Sequence, residues 1–320
     1  MLLRQLGHTV SGYSDTSEVG SLYEIANLKE VLEFETFSDI RNLKSLNSFI
    51  QKSEPDVIIH FAAQSLVRNS YRQPLETFEV NVNGTNNVIK AIHKLEFIKS
   101  CLIVTTDKVY KSQGSNYSYK ESDPLGGAEP YGSSKSIADE ISQYWLKTGL
   151  ENRLTIVRAG NVIGGGDVSS ERLMPELVSK YQAGQVPTLR YPNAVRPWQH
   201  VLDCLNGYLM CIEKAISENV GDIWNVGPTF QDHVSVKTVQ EITATLFGID
   251  SHEVNLSNPS FSESDYLALD STKIRQQLGW QSKFNLVESL TETINWYQAF
   301  QRGEDMFLYT KNSIQNFISK

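Results

Sequence analysis

The chain is poor in cysteine, in cationic charge and in long apolar runs. Its three cysteines, Cys101, Cys204 and Cys211, are an odd number with no Cys-x-x-Cys spacing. That pattern excludes a disulfide scaffold and a structural zinc site as organising devices, so no metal is expected. Acidic residues outnumber basic ones, 37 against 29, for a net charge of −8. A field of that sign repels nucleic acid and anionic membrane surfaces. No apolar run approaches the ~18 residues a membrane helix needs. Met1 to Gly7 is too short an apolar stretch to read as a signal peptide, and a cytoplasmic location is expected. Repeats and low-complexity segments are also missing. What remains is ample apolar content, 40% of 320 residues, enough for a substantial core.

The apolar residues fall into an alternating pattern. Strands are expected at His8 to Tyr13, Pro55 to Ala62, Cys101 to Thr106 and Leu154 to Arg158. Helical periodicity lies between them, from Pro74 to Leu95 and from Ser133 to Leu146. Near-continuous apolar strands alternating with amphipathic helices predict an α/β fold with a doubly wound parallel sheet. Such sheets bind ligands beyond the carboxyl ends of their strands. A further helix is expected to start at Asp270 or Ser271 and stop at Gly279. A last one, about Leu286 to Phe300, is expected to close the domain. The stretch from Gly164 to Arg196 reads as irregular, with Gly164-Gly165-Gly166 as a flexible pocket loop.

Two clusters carry chemistry. Tyr131 and Lys135 are four residues apart, so one helix face brings phenol and ammonium together. A nearby cation is expected to lower the phenol's pKa and make Tyr131 a base for an alcohol proton. The competing reading is a packing tyrosine beside a solvated lysine. Upstream, Thr105-Thr106-Asp107-Lys108 directly follows an apolar strand. Its hydroxyl, carboxyl and amine sit where such a sheet does its work. His60 and His200 have no metal-ligand partners at helical spacing and are expected to be structural.

The order His60 to Gln64, then Thr105 to Lys108, then Tyr131 to Lys135 resembles the extended short-chain dehydrogenase/reductase family. Within it, Asp123 to Gly127, Arg158 to Asp167 and Arg196 to Asp203 are similar to the CDP-glucose 4,6-dehydratases. The resemblance runs from about Leu2 to about Tyr297. It implies a Rossmann-type NAD-binding domain over 1–160 and a mainly sugar-nucleotide-binding region over 161–320, with segments returning to the sheet. It implies CDP-glucose as substrate, NAD as cofactor, a 4-keto-6-deoxy sugar as product and a homo-oligomeric assembly. By the same resemblance Tyr131, Thr106 and Lys135 serve oxidation at C4, Lys108 removes the C5 proton, and Asp107 protonates the departing hydroxyl. Asp39 and Ile40 flank the adenine. Ala62, Ala63, Gln64, Asn81 and Thr105 line the cofactor with Tyr131 and Lys135. Asn161 and Arg196 hold the diphosphate. Asp15 takes a ribose hydroxyl, or is a turn aspartate.

The sequence departs from the family pattern in one respect. The glycine-rich GxxGxxG fingerprint, which cradles the cofactor pyrophosphate, is absent. The chain begins inside the family's first helix, and on the order of 20–25 residues of strand, loop and helix are expected to be missing. Two origins stay open, a start upstream of Met1 or a decaying gene. Weak NAD binding and low stability are expected of the chain alone. Two other functions stay open as well: a remnant that keeps only the sugar-nucleotide pocket, and a dehydratase or epimerase for another nucleotide sugar.

Overall fold

The computed structural model describes residues 1–320 apart from 18, 115, 170, 251–252, 258–260 and 262. The strands are β1 (Gly12–Ser14), β2 (Glu35–Phe37), β3 (Val57–His60), β4 (Ser100–Thr106), β5 (Leu154–Ala159), β6 (Asn161–Ile163), β7 (Thr188–Leu189), β8 (Val195–His200), β9 (Ile223–Val226), β10 (His233–Ser235) and β11 (Asn255–Leu256). The first helices are α1 (Leu2–Gln5), α2 (Leu22–Ile25), α3 (Leu43–Ser53), α4 (Val67–Arg72), α5 (Pro74–Phe78), α6 (Gly84–His93) and α7 (Pro130–Thr148). Then come α8 (Leu173–Gln182), α9 (Val201–Glu218), α10 (Val236–Leu246), α11 (Thr272–Leu278), α12 (Leu286–Gln301) and α13 (Met306–Ser319).

The apolar runs form a four-stranded parallel sheet of order β3-β4-β5-β9. Alternation along β4 splits its side chains between two cores. Cys101 and Ile103 pack with Ile89 and Ile92 of α6 and Trp145 of α7. Leu102 and Val104 pack with Tyr208 and Cys211 of α9 and Ile274 of α11. Helices thus cover both faces, which is why β5 is buried at every position. A third core, around Trp198, Leu290 and Trp296, holds the region beyond the strand ends. There β8 pairs parallel with β6 and antiparallel with β10.

Strands β1 and β2 make a separate parallel pair. Among the described residues no ladder joins them to β3. The two sheets nevertheless share one apolar core, where Tyr13 and Phe49 meet Ile58.

Several expected elements shift. The strand expected at His8 to Tyr13 forms only over Gly12–Ser14. The helix expected from Pro74 to Leu95 is interrupted by a π-helical turn at Glu79–Asn83. That wider turn delivers Asn81, whose amide bonds both the N–H and the carbonyl of Gln64 and the Ser134 hydroxyl. The region from Gly164 to Arg196 contains α8 and β7 rather than being irregular. Its glycine triplet is packed, not flexible. A Cβ on Gly165 would lie 2.1 Å from the Trp296 ring, and one on Gly164 2.7 Å from Val201. Ser271 and Gly279 bound α11 as expected, Gly279 with φ +68°. Helix α12 begins with a capping box of Asn285 and Glu288. It does not close the fold, because α13 follows and buries Ile314 and Phe317 against Leu2 and Leu202.

Candidate active site

The carboxyl end of β4 and the amino end of α7 build the site. Thr106 ends β4, and a single 3-10 turn, Asp107–Val109, carries the next two side chains. The Thr106 hydroxyl donates to Asp107 Oδ1 at 3.0 Å. Asp107 is 2% exposed, and its Oδ2 is buried without a hydrogen-bond partner. Burial pushes its carboxyl pKa up, against the pull of Lys108 and Arg196. A carboxyl raised in this direction suits the giving of a proton better than an ordinary aspartate does.

Helix α7 starts at Pro130, a residue suited to a first helical position. Tyr131 follows, and the Thr106 hydroxyl works against the rise that burial gives its phenol. One turn on, Lys135 Nζ donates to the Val104 carbonyl at 2.9 Å. Helix geometry thus brings Thr106, Asp107, Tyr131 and Lys135 to one buried place, as the spacing predicts. The expected electrostatics differ. Burial pushes the Tyr131 phenol up to about 12, with Asp107 and Glu129 adding to the rise. Desolvation also lowers the Lys135 ammonium to about 8. In this state the loss of water outweighs any help the lysine gives the phenol.

Beneath the site lies a buried pair. Arg158 forks onto Asp139 at 2.7 and 2.9 Å, and both side chains are fully buried. Thr105, expected to line the cofactor, instead commits its hydroxyl to Asp139 at 2.9 Å and to the Val157 carbonyl. Neighbouring side chains on β4 alternate, so Thr106 faces the site while Thr105 faces this pair.

Ala62, Ala63 and Gln64 follow β3 directly. Gln64 and Asn81 are spent on each other, with Thr77 and Leu66 completing the network, so they shape the strand-end loop. Asp39 is claimed by Arg41, which forks onto it and also pairs Glu76 and Glu79. Ile40 is buried against Gly84, where a Cβ would come within 2.6 Å. Asp15 is exposed and accepts from the Thr16 N–H at 2.9 Å. Asn161 opens β6 and Arg196 lies in the neighbouring β8. Arg196 is buried, 3.5 Å from Glu263, with its charge felt at Asp107. Both histidines are structural, as expected. His60 Nε2 pairs with Thr85 Oγ1 at 3.0 Å, and His200 Nδ1 accepts from the Leu202 N–H. Burial lowers them to about 3 and about 4.

Sequence reasoning missed Glu129. Its carboxylate lies 3.8 Å from Lys108 Nζ, both side chains nearly buried. The available signal was its position beside Pro130, two residues before Tyr131.

Solved structures share this architecture. A dTDP-glucose 4,6-dehydratase of Streptomyces venezuelae is 25% identical and superposes with a TM-score of 0.82, covering 96% of this chain and 95% of that one. A UDP-glucose 4-epimerase of Thermotoga maritima, 19% identical, reaches 0.81 over 93% of this chain and 94% of its own. Two chemistries on one fold mean that fold alone does not choose between them. Sequence comparison is more specific. A CDP-glucose 4,6-dehydratase of Salmonella typhimurium is 35% identical over 99% of this chain and 91% of its own length. The profile of the GDP-mannose 4,6 dehydratase family matches residues 1–293, and the chain belongs to that family.

Proposed function

We propose that this chain is an NAD-dependent lyase that converts CDP-glucose to CDP-4-keto-6-deoxyglucose. The observation that carries the reading is Asp107. It is a buried carboxyl with a raised pKa and one free oxygen, flanked by Lys108 and by the Tyr131–Thr106 pair. An epimerase needs a base at one alcohol, whereas an elimination needs an acid and a base besides, and all three are here. The 35% identity to a CDP-glucose 4,6-dehydratase supports the same substrate. Relatives solved with NAD bound support the cofactor.

The residues suit the nicotinamide ribose of NAD. Lys135 has three donors but, among the described residues, one hydrogen-bond acceptor, the Val104 carbonyl. The remaining donors fit a pair of ribose hydroxyls beside Tyr131. When bound, NAD supplies a hydride acceptor at the sugar C4 and later a donor at C6.

The chain's own groups then act in order. Tyr131, once ionised, takes the proton of the 4-hydroxyl as C4 is oxidised. The 4-ketone acidifies C5. Lys108 removes the C5 proton, the C5–H electron pair moves into the C5–C6 bond, and the C6–O6 bond breaks. Asp107 gives its proton to O6, which leaves as water. Asn161 and Arg196 anchor the diphosphate, the arginine through its fork of donors. The reading carries a cytoplasmic location, in keeping with three free cysteines, and a homo-oligomeric assembly.

A substrate panel tests it. CDP-glucose is expected to be converted far faster than dTDP-glucose or GDP-mannose with NAD present. Preference for either competitor would move the chain to another dehydratase.

A further inference from the structure

We propose that Glu129 is the positioning residue for Lys108, holding its amine over the substrate as a buried counter-ion. This rests on the elimination role given to Lys108 above.

Glu129 stands immediately before Pro130, and a residue before proline is confined to extended backbone. Its φ of −101° and ψ of 162° follow. The start of α7 therefore delivers two rigidly related side chains, the Tyr131 phenol and the Glu129 carboxylate. Glutamate is a poor N-cap, and this one makes no capping bond. Its carboxylate turns instead toward Lys108, with Oε1 3.8 Å from Nζ. That Oε1 is buried and has no hydrogen-bond partner. A buried carboxylate so placed is costly unless a cation faces it. The Lys108 ammonium faces it at 3.8 Å, and the same charge returns when Lys108, having given up its proton, takes the one on C5.

The surroundings are cut to fit. Gly132 is disfavoured inside a helix, and its backbone there needs no glycine. The space does. A Cβ at 132 would lie 2.6 Å from Glu129 Oε2 and 2.7 Å from the Lys108 carbonyl. Gly132 thus lets the carboxylate and the lysine turn approach each other. Glu129 is also felt at Asp107 and Tyr131, so it faces the reacting groups.

The test uses the full chain with Glu129→Gln, which keeps shape and removes charge, and Glu129→Asp, which keeps charge. Single turnovers with CDP-glucose and NAD separate oxidation, read by reduced-cofactor absorbance, from product formation. In Glu129→Gln, oxidation is expected within about twofold of wild type while product formation falls roughly ten- to hundredfold. Glu129→Asp is expected to recover most of it. Independently, trace acylation with acetic anhydride, read on the Lys108 peptide by mass spectrometry, is expected to run roughly fivefold faster in Glu129→Gln. Normal product formation in Glu129→Gln, or equal loss of both half-reactions with unchanged Lys108 acylation, would overturn the proposal. If the wild type converts no CDP-glucose, the reaction itself fails. Lys108 acylation then decides the pairing alone, unchanged labelling overturning it and faster labelling supporting it.

Discussion

Arg158 and Arg41 each fork onto an aspartate, and their settings could hardly differ more. Arg158 and Asp139 are both fully buried between β5 and α7, directly behind the reacting residues. Arg41 and Asp39 lie at the end of β2, with side chains 31% and 41% exposed. The first pair ties the four-stranded sheet to α7, and the second stands beside a two-stranded ladder that, among the described residues, no ladder joins to that sheet. The difference teaches where rigidity has been placed. The end proposed to handle protons is tied into the core. The side expected to hold adenosine is tied by charges that water screens.

Tyr131→Phe attacks the rigid end without disturbing its packing and should have the largest effect. Loss of a general base is expected to lower kcat by roughly 10²–10⁴-fold while substrate binding persists. Binding by calorimetry and turnover by product assay separate the two. Arg158→Ala leaves Asp139 buried and unpaired, and is expected to cost about 3–5 kcal/mol of stability in denaturant melts. Asp107→Asn should slow product formation by roughly 10²-fold and leave C4 oxidation, so reduced cofactor accumulates. Equal loss of both steps would show that Asp107 is not reserved for elimination.

The pH dependence sharpens the contrast. His60 and His200 are lowered by burial to about 3 and about 4 from 6.5. The unfolded chain therefore binds protons that the folded one refuses. Their contribution is intact above pH 6.5 and lost as pH falls through that value toward the folded pKa. Asp203, raised by burial to about 6, works in the opposite direction. His60→Asn is thus expected to flatten the fall of melting temperature between pH ~7 and ~5, and an unchanged slope would count against a buried neutral His60. The smallest effect is expected at the exposed end. Arg41→Ala should cost less than about 1 kcal/mol, a loss that salt diminishes. A larger cost would mean that the two ends are more alike than their burial implies.

Much of this contrast was readable in the residues. The apolar runs of β4 and β5 announce strands buried on both sides. The spacing of Tyr131 and Lys135, after a strand ending in Thr106-Asp107-Lys108, announces a site. Other features depend on burial, which sequence spacing does not encode. The Tyr131 phenol rises rather than falls because desolvation outweighs its neighbours. Thr105 turns away because strand alternation points it toward Asp139 and Thr106 toward Asp107. The break in the helix after Phe78 has no proline or glycine inside it to mark it, only the need to bury Asn81 against Gln64. Glu129 escaped notice because its meaning depends on a missing Cβ at Gly132 and a lysine 21 positions earlier.

Isotope tracing tests internal redox elimination most directly. CDP-glucose carrying deuterium at C4 would be incubated with the chain and NAD, and the product read by NMR. The account predicts deuterium at C6 of a 4-keto-6-deoxy sugar, with solvent hydrogen at C5. Deuterium retained at C4, or no conversion at all, would contradict it.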